Sequence, residues 1–412
     1  MVTVGEAVNL ILEQVSPLRG EEVPLLQARG RVLFEDVHAR RNVPPFANSA
    51  MDGFAVLWQD VTRASTSHPV TLRVLEEAPA GYVAKHRVVA GTAIKIMTGA
   101  PIPRGADTII RVEYTESRGN EVRITKVSGA GSHTRKAGED IQKGQTILEK
   151  GWILNPADLG LLASIGKSQV RVYRRPTVGL ISTGDELLDV KDRPQPGKIV
   201  NSNSYTLSAA VQEIGAVPKS LGIVGDKRRS LATVFKKAVR FDAVITSGGV
   251  SVGDYDFVRE ALGDVGVKMQ FWKVAQKPGH PMAFGRIGKK PIFGLPGNPV
   301  SSAVSFLLYA RPALLKMMGY RNLFLPVVQA TLEHEIIKSG GLKEFIRCRL
   351  RYEKDQIFAS STGTQSSGVL RSLSLAQGLI VAHEEQTSLE KGSQVPVILL
   401  NHQDLMKGEM GF

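Results

Sequence analysis

Between residues 174 and 323 the chain alternates short apolar runs with amphipathic stretches, and this rhythm constrains the fold more than any other feature. Residues 177–182 (TVGLIS), 216–224, 241–246 (FDAVIT) and 291–295 read as strands. Residues 203–214, 230–240, a stretch opening at 256, and 298 to about 318 read as helices. The run TVGLIS is mostly apolar rather than apolar at alternate positions, which is the pattern of a strand buried on both faces. Strand–helix alternation of this kind predicts a doubly wound parallel α/β sheet. Ligands bind such sheets at the carboxyl ends of the strands.

Three polar turns fall at those ends. They are Ser182-Thr183-Gly184-Asp185-Glu186, the run from Ser247-Gly248-Gly249 through Ser251, Gly253, Asp254 and Asp256, and Pro296-Gly297-Asn298-Pro299. Glycine lets backbone approach a ligand closely. In the second and third turns a helix N-terminus follows and points free N–H groups at an anion. Asn298 and Pro299 fit the cap and first position of the last helix. Any one turn is also ordinary strand-to-helix chemistry, but three together favour a site. Asp185, Glu186, Asp226, Asp254 and Asp256 all lie at strand ends or loop starts, where acids either cap helices or hold a divalent cation against phosphate. Lys273 and Lys277 are candidates for phosphate contact or for surface lysines with buried stems. There is no Gly-Lys-Ser/Thr phosphate loop, no G-x-G-x-x-G after a strand and no G-x-S-x-G elbow.

The flanks read differently. Residues 3–16 form a capped amphipathic helix with Ala7, Val8, Ile11 and Val15 on one face. Residues 41–56 begin extended, because paired prolines disfavour helix. Residues 70–130 are strand-like, a second helix starts at Asn155-Pro156, and short strands and turns return from about 324. The Asp52-Gly53 dipeptide alone reads as a hairpin turn.

The net charge is +13 over 412 residues, which predicts an anionic partner. Residues 174–323 hold 22 Lys and Arg against 11 Asp and Glu, so +11 of that charge sits in the α/β unit. No apolar run approaches the ~18 residues of a membrane helix. The first residues carry acids where a signal peptide carries basic residues, so a cytoplasmic protein is expected. The single cysteine, Cys348, forms no internal disulfide. No two of the eight histidines have zinc-type spacing, whereas a hard cation on oxygen ligands fits the acids. A nucleic-acid binder would suit the charge, but no base-reading motif supports one.

Seven motifs occur in order: NVPPFANSAMDGFAV, IMTGAPIP, RKAGEDI, STGDEL, SGGVSVGDYDF, KPGHP and GLPGNPVS. Together they resemble the MoeA-type molybdopterin molybdenumtransferases, also represented by the E domain of gephyrin, from about residue 3 to 410. The resemblance implies four domains: residues 1–40 with 141–173 as a helical dimerisation region, 41–140 as a β-rich domain, 174–323 as the molybdopterin-binding α/β domain, and 324–412 as a small β-barrel. It implies a homodimer with the active site shared between subunits, neither nucleic acid nor membrane as partner, and a Mg2+-dependent insertion of molybdate into adenylylated molybdopterin with release of AMP. Asp52, Thr98, Arg135 and Asp140 would face the site from one subunit. Glu186, Asp226 and Asp256 would hold the metal in the other. Lys273, Lys277, Pro296 and Pro299 would shape the oxyanion and phosphate pocket, with Ser367 beside them.

Two departures stand out. His280 occupies a position in KPGHP where the family often has Lys, so a permanent charge becomes pH-dependent or is lost. Both Asp254 and Asp256 compete for the metal-facing role, with Asp256 preferred. The motifs do not separate molybdate from tungstate, and they do not identify a downstream delivery partner. The alternatives are the adenylyltransferase that prepares the substrate, itself a possible partner, and a pterin-binding scaffold. The roughly 170 residues before the α/β unit, carrying SAMDG, disfavour the first. The lack of an extra N-terminal domain and linker disfavours the second.

Overall fold

The computed structural model describes residues 1–249, 257–353 and 356–400. The chain forms two compact units, Met1–Glu21 with Tyr173–Phe412, and Glu22–Val172. Among the described residues no helix is long and apolar enough to cross a membrane.

The larger unit is built on a six-stranded sheet. Its order is Val217–Val224, Thr177–Thr183, Ala243–Ser247, Lys290–Leu295, Ala283–Ile287 and Lys268–Phe271. The first four strands are parallel, as expected, with Val178 opposite Ala243 and Val244 opposite Ile292. The last two are antiparallel, which the sequence reading did not foresee. A tight connection, Ile287 to Lys290, joins Ala283–Ile287 to its neighbour, and a connection that short permits only an antiparallel pair.

The side chains alternate across the sheet, so each strand feeds two cores. Val178, Leu180, Ala243, Ile245 and Phe293 pack on one face with Leu207, Val211, Phe306 and Tyr309. Ile181, Val244 and Ile292 pack on the other with Leu231, Phe235 and Ala261. The helix Val4–Gln14, closed by a Thr3–Glu6 capping box, buries Ala7 and Ile11 in the first of these cores. The first 21 residues lie in the same compact unit as the α/β sheet. The stripe of Ala7, Ile11 and Val15 decides this, because it finds its apolar partner on the sheet.

The helix from Pro299 continues to Met317 but widens to a π turn over Phe306–Ala310. Pro312 lies just beyond, and its ring displaces the carbonyl four residues back while offering no N–H. Beyond it, five strands close into a barrel: Val327–Leu332, Lys343–Glu353, Gln356–Ser361, Gly378–Ala382 and Gln394–Leu399. Lys343–Glu353 pairs with both Gln356–Ser361 and Gly378–Ala382, which completes the ring.

The unit Glu22–Val172 holds a second six-stranded sheet in which Gly53–Val56 lies between Thr92–Ile96 and Thr108–Arg111. Asp52-Gly53 is thus not the expected hairpin turn. Gly53 opens a central strand, where a Cβ would lie 1.9 Å from the Ile110 carbonyl oxygen, so only glycine fits. A separate core joins Val23, Leu33 and Val37 to Ile141, Leu148 and Leu162. The helix Pro156–Ser164 begins at an Asn155–Asp158 capping box, as its Asn-Pro start predicts.

One polar cluster pins the start of the α/β sheet. Asp242 accepts from Arg174 Nη1 and Nη2 at 2.8 and 2.6 Å, and from Thr177 N and Oγ1 at 2.8 and 2.7 Å. Burial pushes the Asp242 carboxyl up, but the Arg174 and Thr177 donors outweigh it and bring it down to about 2. Its contribution is therefore present above its ordinary carboxylate range and lost as the pH falls through about 2. Asp242→Asn should cost about 1–2 kcal/mol in urea unfolding at pH 7, after allowance for solvent screening. The gap to the parent protein should shrink as the pH approaches 2.

Candidate active site

The three polar turns meet at the carboxyl ends of the parallel strands around a cleft of about 350 Å³. Thr183, Gly184 and Glu186 line it from the first turn, Ser247, Gly248 and Gly249 from the second, and Pro296, Gly297, Asn298 and Pro299 from the third. Asp226 lines it from the end of Val217–Val224. One side chain ties two of the turns together. Asn203 Nδ2 donates to Ser247 Oγ at 2.6 Å and to the Gly297 carbonyl at 2.7 Å. The Gly297 carbonyl can only accept, which fixes the orientation of the amide. Asn203 Oδ1 and Thr183 Oγ1 are buried without a partner among the described residues. Such orphaned atoms cost stability and are usually kept for function.

The acids gather on one side of the cleft. Asp185 Oδ1 accepts from the Asp226 backbone N–H at 3.3 Å. Burial first, and then the charges of Asp185 and Glu186, push the Asp226 carboxyl above the usual carboxylate range. Gly184 adopts φ +149°, and a Cβ there would meet Glu186 Oε2 at 2.5 Å, so glycine makes room for that carboxylate. Two of these carboxylates, Glu186 and Asp226, line the cleft itself. No group of three or more metal-binding side chains assembles among the described residues.

Other sequence candidates fall elsewhere. Ser251, Gly253, Asp254 and Asp256 lie outside the described residues. Ser182 is buried in its strand, and exposed Asp185 is absent from the lining of the cleft. Lys273 and Lys277 are also absent from the lining, although Pro281 of the same segment is in it. Lys277 instead sits 3.4 Å from Glu344, a nearly buried carboxylate of the barrel. His280 Nδ1 donates to the Val274 carbonyl at 2.8 Å, and so the ring is turned into its own segment.

Asn298 occupies the N-cap position but does not cap the helix with its side chain. Its Nδ2 donates to Ser367 Oγ at 3.0 Å, and the Ser367 carbonyl accepts from Val300 N at 3.1 Å. The amide is spent on a neighbouring loop, which brings Ser367 to the rim of the third turn. Leu187, Ile199, Val200, Asn201, Ser202 and Asn203 also line the cleft and were missed by the sequence reading. The signal available was Asn201-Ser202-Asn203. Asn201 caps the helix Ser202–Glu213, and such a cap places the next residues at a helix N-terminus.

In the other unit, three motifs far apart in sequence converge. Thr134–Arg135 pairs antiparallel with Asn48–Ser49, with Arg135 opposite Asn48. Ser49 N donates to the Ala100 carbonyl at 3.0 Å, and Gly99 N to the Ser49 carbonyl at 2.8 Å. Asp52 Oδ1 accepts from Thr98 N at 2.7 Å and Thr98 Oγ1 at 2.8 Å. The Thr98 backbone N–H, and then its hydroxyl, hold the Asp52 carboxyl below its usual range. Arg135 and Asp140 are exposed on the same RKAGED turn, and the Asp140 backbone N–H is tied to the Val43 carbonyl at 3.0 Å.

Comparison with known proteins follows these landmarks. Residues 2–166 match the MoeA N-terminal region (domain I and II), 179–316 a probable molybdopterin binding domain, and 329–400 the MoeA C-terminal region (domain IV). The chain therefore belongs to the MoeA family, a class of transferases in molybdenum cofactor biosynthesis. It is 39% identical over 403 residues to molybdopterin molybdenumtransferase 2 of Mycobacterium tuberculosis, covering 96% of this chain and 99% of that one. It is 36% identical over 410 residues to the molybdopterin molybdenumtransferase of a Nostoc species, covering 97% and 94%. The crystal structure of a molybdopterin biosynthesis MoeA protein from Pyrococcus horikosii superposes with a TM-score of 0.85 at 32% identity, covering 97% of this chain and 99% of that one.

Two substitutions test the electrostatics. Because the Asp226 pKa is raised in the fold, its ionised form is penalised, and the penalty grows as the pH rises through that raised value. Asp226→Asn should raise Tm at pH 7, with the gain fading as the pH is lowered. Mg2+ should stabilise the parent protein in the same melts and not the variant. Thr98→Val removes the hydroxyl donor and leaves the backbone N–H. The Asp52 carboxyl should then titrate part of the way back toward its ordinary range, as followed by carboxyl NMR.

Proposed function

We propose that this chain inserts molybdate into adenylylated molybdopterin, with Mg2+ present, and releases AMP. The observation that carries the reading is the convergence of three glycine-bearing strand ends, with gathered carboxylates, on one cleft of the molybdopterin-binding domain. Glu186 and Asp226 would hold Mg2+, which neutralises phosphate charge when bound. Asp256 is the proposed third acid. Backbone N–H groups of Gly249 and of the Gly297-Asn298 turn would bind oxyanion oxygens, while Gly248 N is held by the Leu295 carbonyl and Asn203 keeps the two turns at fixed separation. Lys277, aligned by Glu344, and Lys273 would add positive potential from the neighbouring segment. The dithiolene of the pterin supplies sulfur for molybdenum, which fits a protein whose single cysteine is buried.

The reading extends to a cytoplasmic homodimer. Asp52, Thr98, Arg135 and Asp140 lie on an exposed surface of their unit, and ionised Asp52 retains Oδ2 for a substrate donor. Facing the cleft of a second subunit would enclose them and exclude water. The substrate comes from an adenylyltransferase, and neither nucleic acid nor membrane takes part.

Purified protein given adenylylated molybdopterin, Mg2+ and molybdate should release AMP at a rate that depends on molybdate. Release that ignores molybdate, or no release, would overturn the proposal. Co-expression of Asp52→Ala with Glu186→Gln tests the shared site independently. Each variant alone should be inactive. Random pairing leaves one intact site in each mixed dimer, so about a quarter of the parent activity should return. No recovery, despite demonstrated mixed dimers, would confine each site to one subunit.

A further inference from the structure

One wall of the cleft is chemically unlike the rest. Ile199–Val200 pairs in parallel with Leu187–Leu188 as a short ribbon, and Leu187, Ile199 and Val200 all line the cleft. Ile199 is 59% exposed and Val200 48% exposed. Neighbouring side chains in a strand point to opposite faces, so a strand packed on a core hides one of them. Here both remain open. The ribbon is nonetheless firmly tied at each end. Ile199 N donates to the Glu186 carbonyl at 2.8 Å, and Asn201 N to the Leu188 carbonyl at 2.9 Å. Buried Asn201 then caps the following helix, accepting from Ser204 N at 3.2 Å. Two exposed β-branched residues are thus held rigidly beside Glu186 in the lining of the cleft. Exposed apolar surface of this kind is costly in water and is retained where something covers it.

We propose that the Ile199–Val200 ribbon is the shelf on which the adenine ring of the adenylylated substrate lies. This inference rests on the function proposed above and assigns one end of its cleft. A flat heteroaromatic ring gains most from aliphatic surface on its face, and few polar groups are needed to orient it. The pterin has a donor- and acceptor-rich edge and matches the polar part of the lining, where buried Asn203 Oδ1 and Thr183 Oγ1 have no partner among the described residues. The backbone link from Ile199 to Glu186 sets the shelf next to the acid proposed to hold Mg2+, which is where the phosphate attached to the adenosine belongs.

The test is calorimetric titration of the full chain, in Mg2+, with AMP and separately with ribose 5-phosphate, which keeps the phosphate and sugar but lacks the ring. An Ile199→Ser, Val200→Ser double variant should bind AMP about tenfold more weakly, equivalent to about 1.4 kcal/mol, and ribose 5-phosphate as before. Unchanged ribose 5-phosphate binding also establishes that the variant is folded. Val190→Ser removes a similar side chain, 54% exposed and outside the cleft lining, and should change neither affinity. Unaltered AMP binding by the double variant would overturn the shelf while leaving the proposed function intact. Equal loss for both ligands would also overturn it, since the ribbon would then serve the phosphate site. A parent protein that binds neither ligand would overturn the functional reading itself.

Discussion

Parallel strands all end at the same edge of a sheet, and the rest of this molecule is arranged around that constraint. The four parallel strands bury both faces, so their ends are the only places where polar backbone can open without unravelling a core. The turns bearing Thr183, Ser247 and Pro296 are therefore forced into proximity by topology. Their spacing is then set by a single amide, Asn203, which reaches from a fourth segment to bridge two of them. Acids collect at the same edge for the same reason, and burial first, with the neighbouring charges of Asp185 and Glu186 adding to it, makes ionisation of Asp226 unfavourable.

Much of this was legible in sequence. Mostly apolar runs such as TVGLIS and FDAVIT identified the parallel strands, and the glycine-bearing turns after them identified the cleft. What escaped notice had weaker local signals. The antiparallel edge uses Lys268–Phe271 and Ala283–Ile287, segments whose polar and glycine residues blur any strand pattern. Asp52-Gly53 reads locally as a turn, but a close backbone crossing at Ile110, which no local pattern encodes, sets its real requirement.

The candidate site was legible to a similar depth. Residue types at strand ends were readable because their positions follow from the fold class. Partnerships were not. Asn298 has the composition of a cap, yet its Nδ2 donates to Ser367 Oγ, nearly seventy residues away, and its side chain accepts from no N–H of the helix. Lys277 reads as a phosphate ligand, but its position is defined by a barrel carboxylate, Glu344. Long-range pairings of this kind depend on three-dimensional closure and leave no trace in spacing.

The segment around Lys277 carries a wider consequence. Ala275 receives an N–H from Lys343 of the barrel and gives its own to Val2 near the chain start, while Gln276–Lys277 runs parallel to Lys343–Glu344. The N-terminal residues and a barrel strand thus hold the same short segment from opposite sides. The α/β unit is consequently not a free-standing module to which ornaments were added. An excised version would need a new splint for that strand, and grafting the barrel onto another sheet would require transplanting the splinted strand with it.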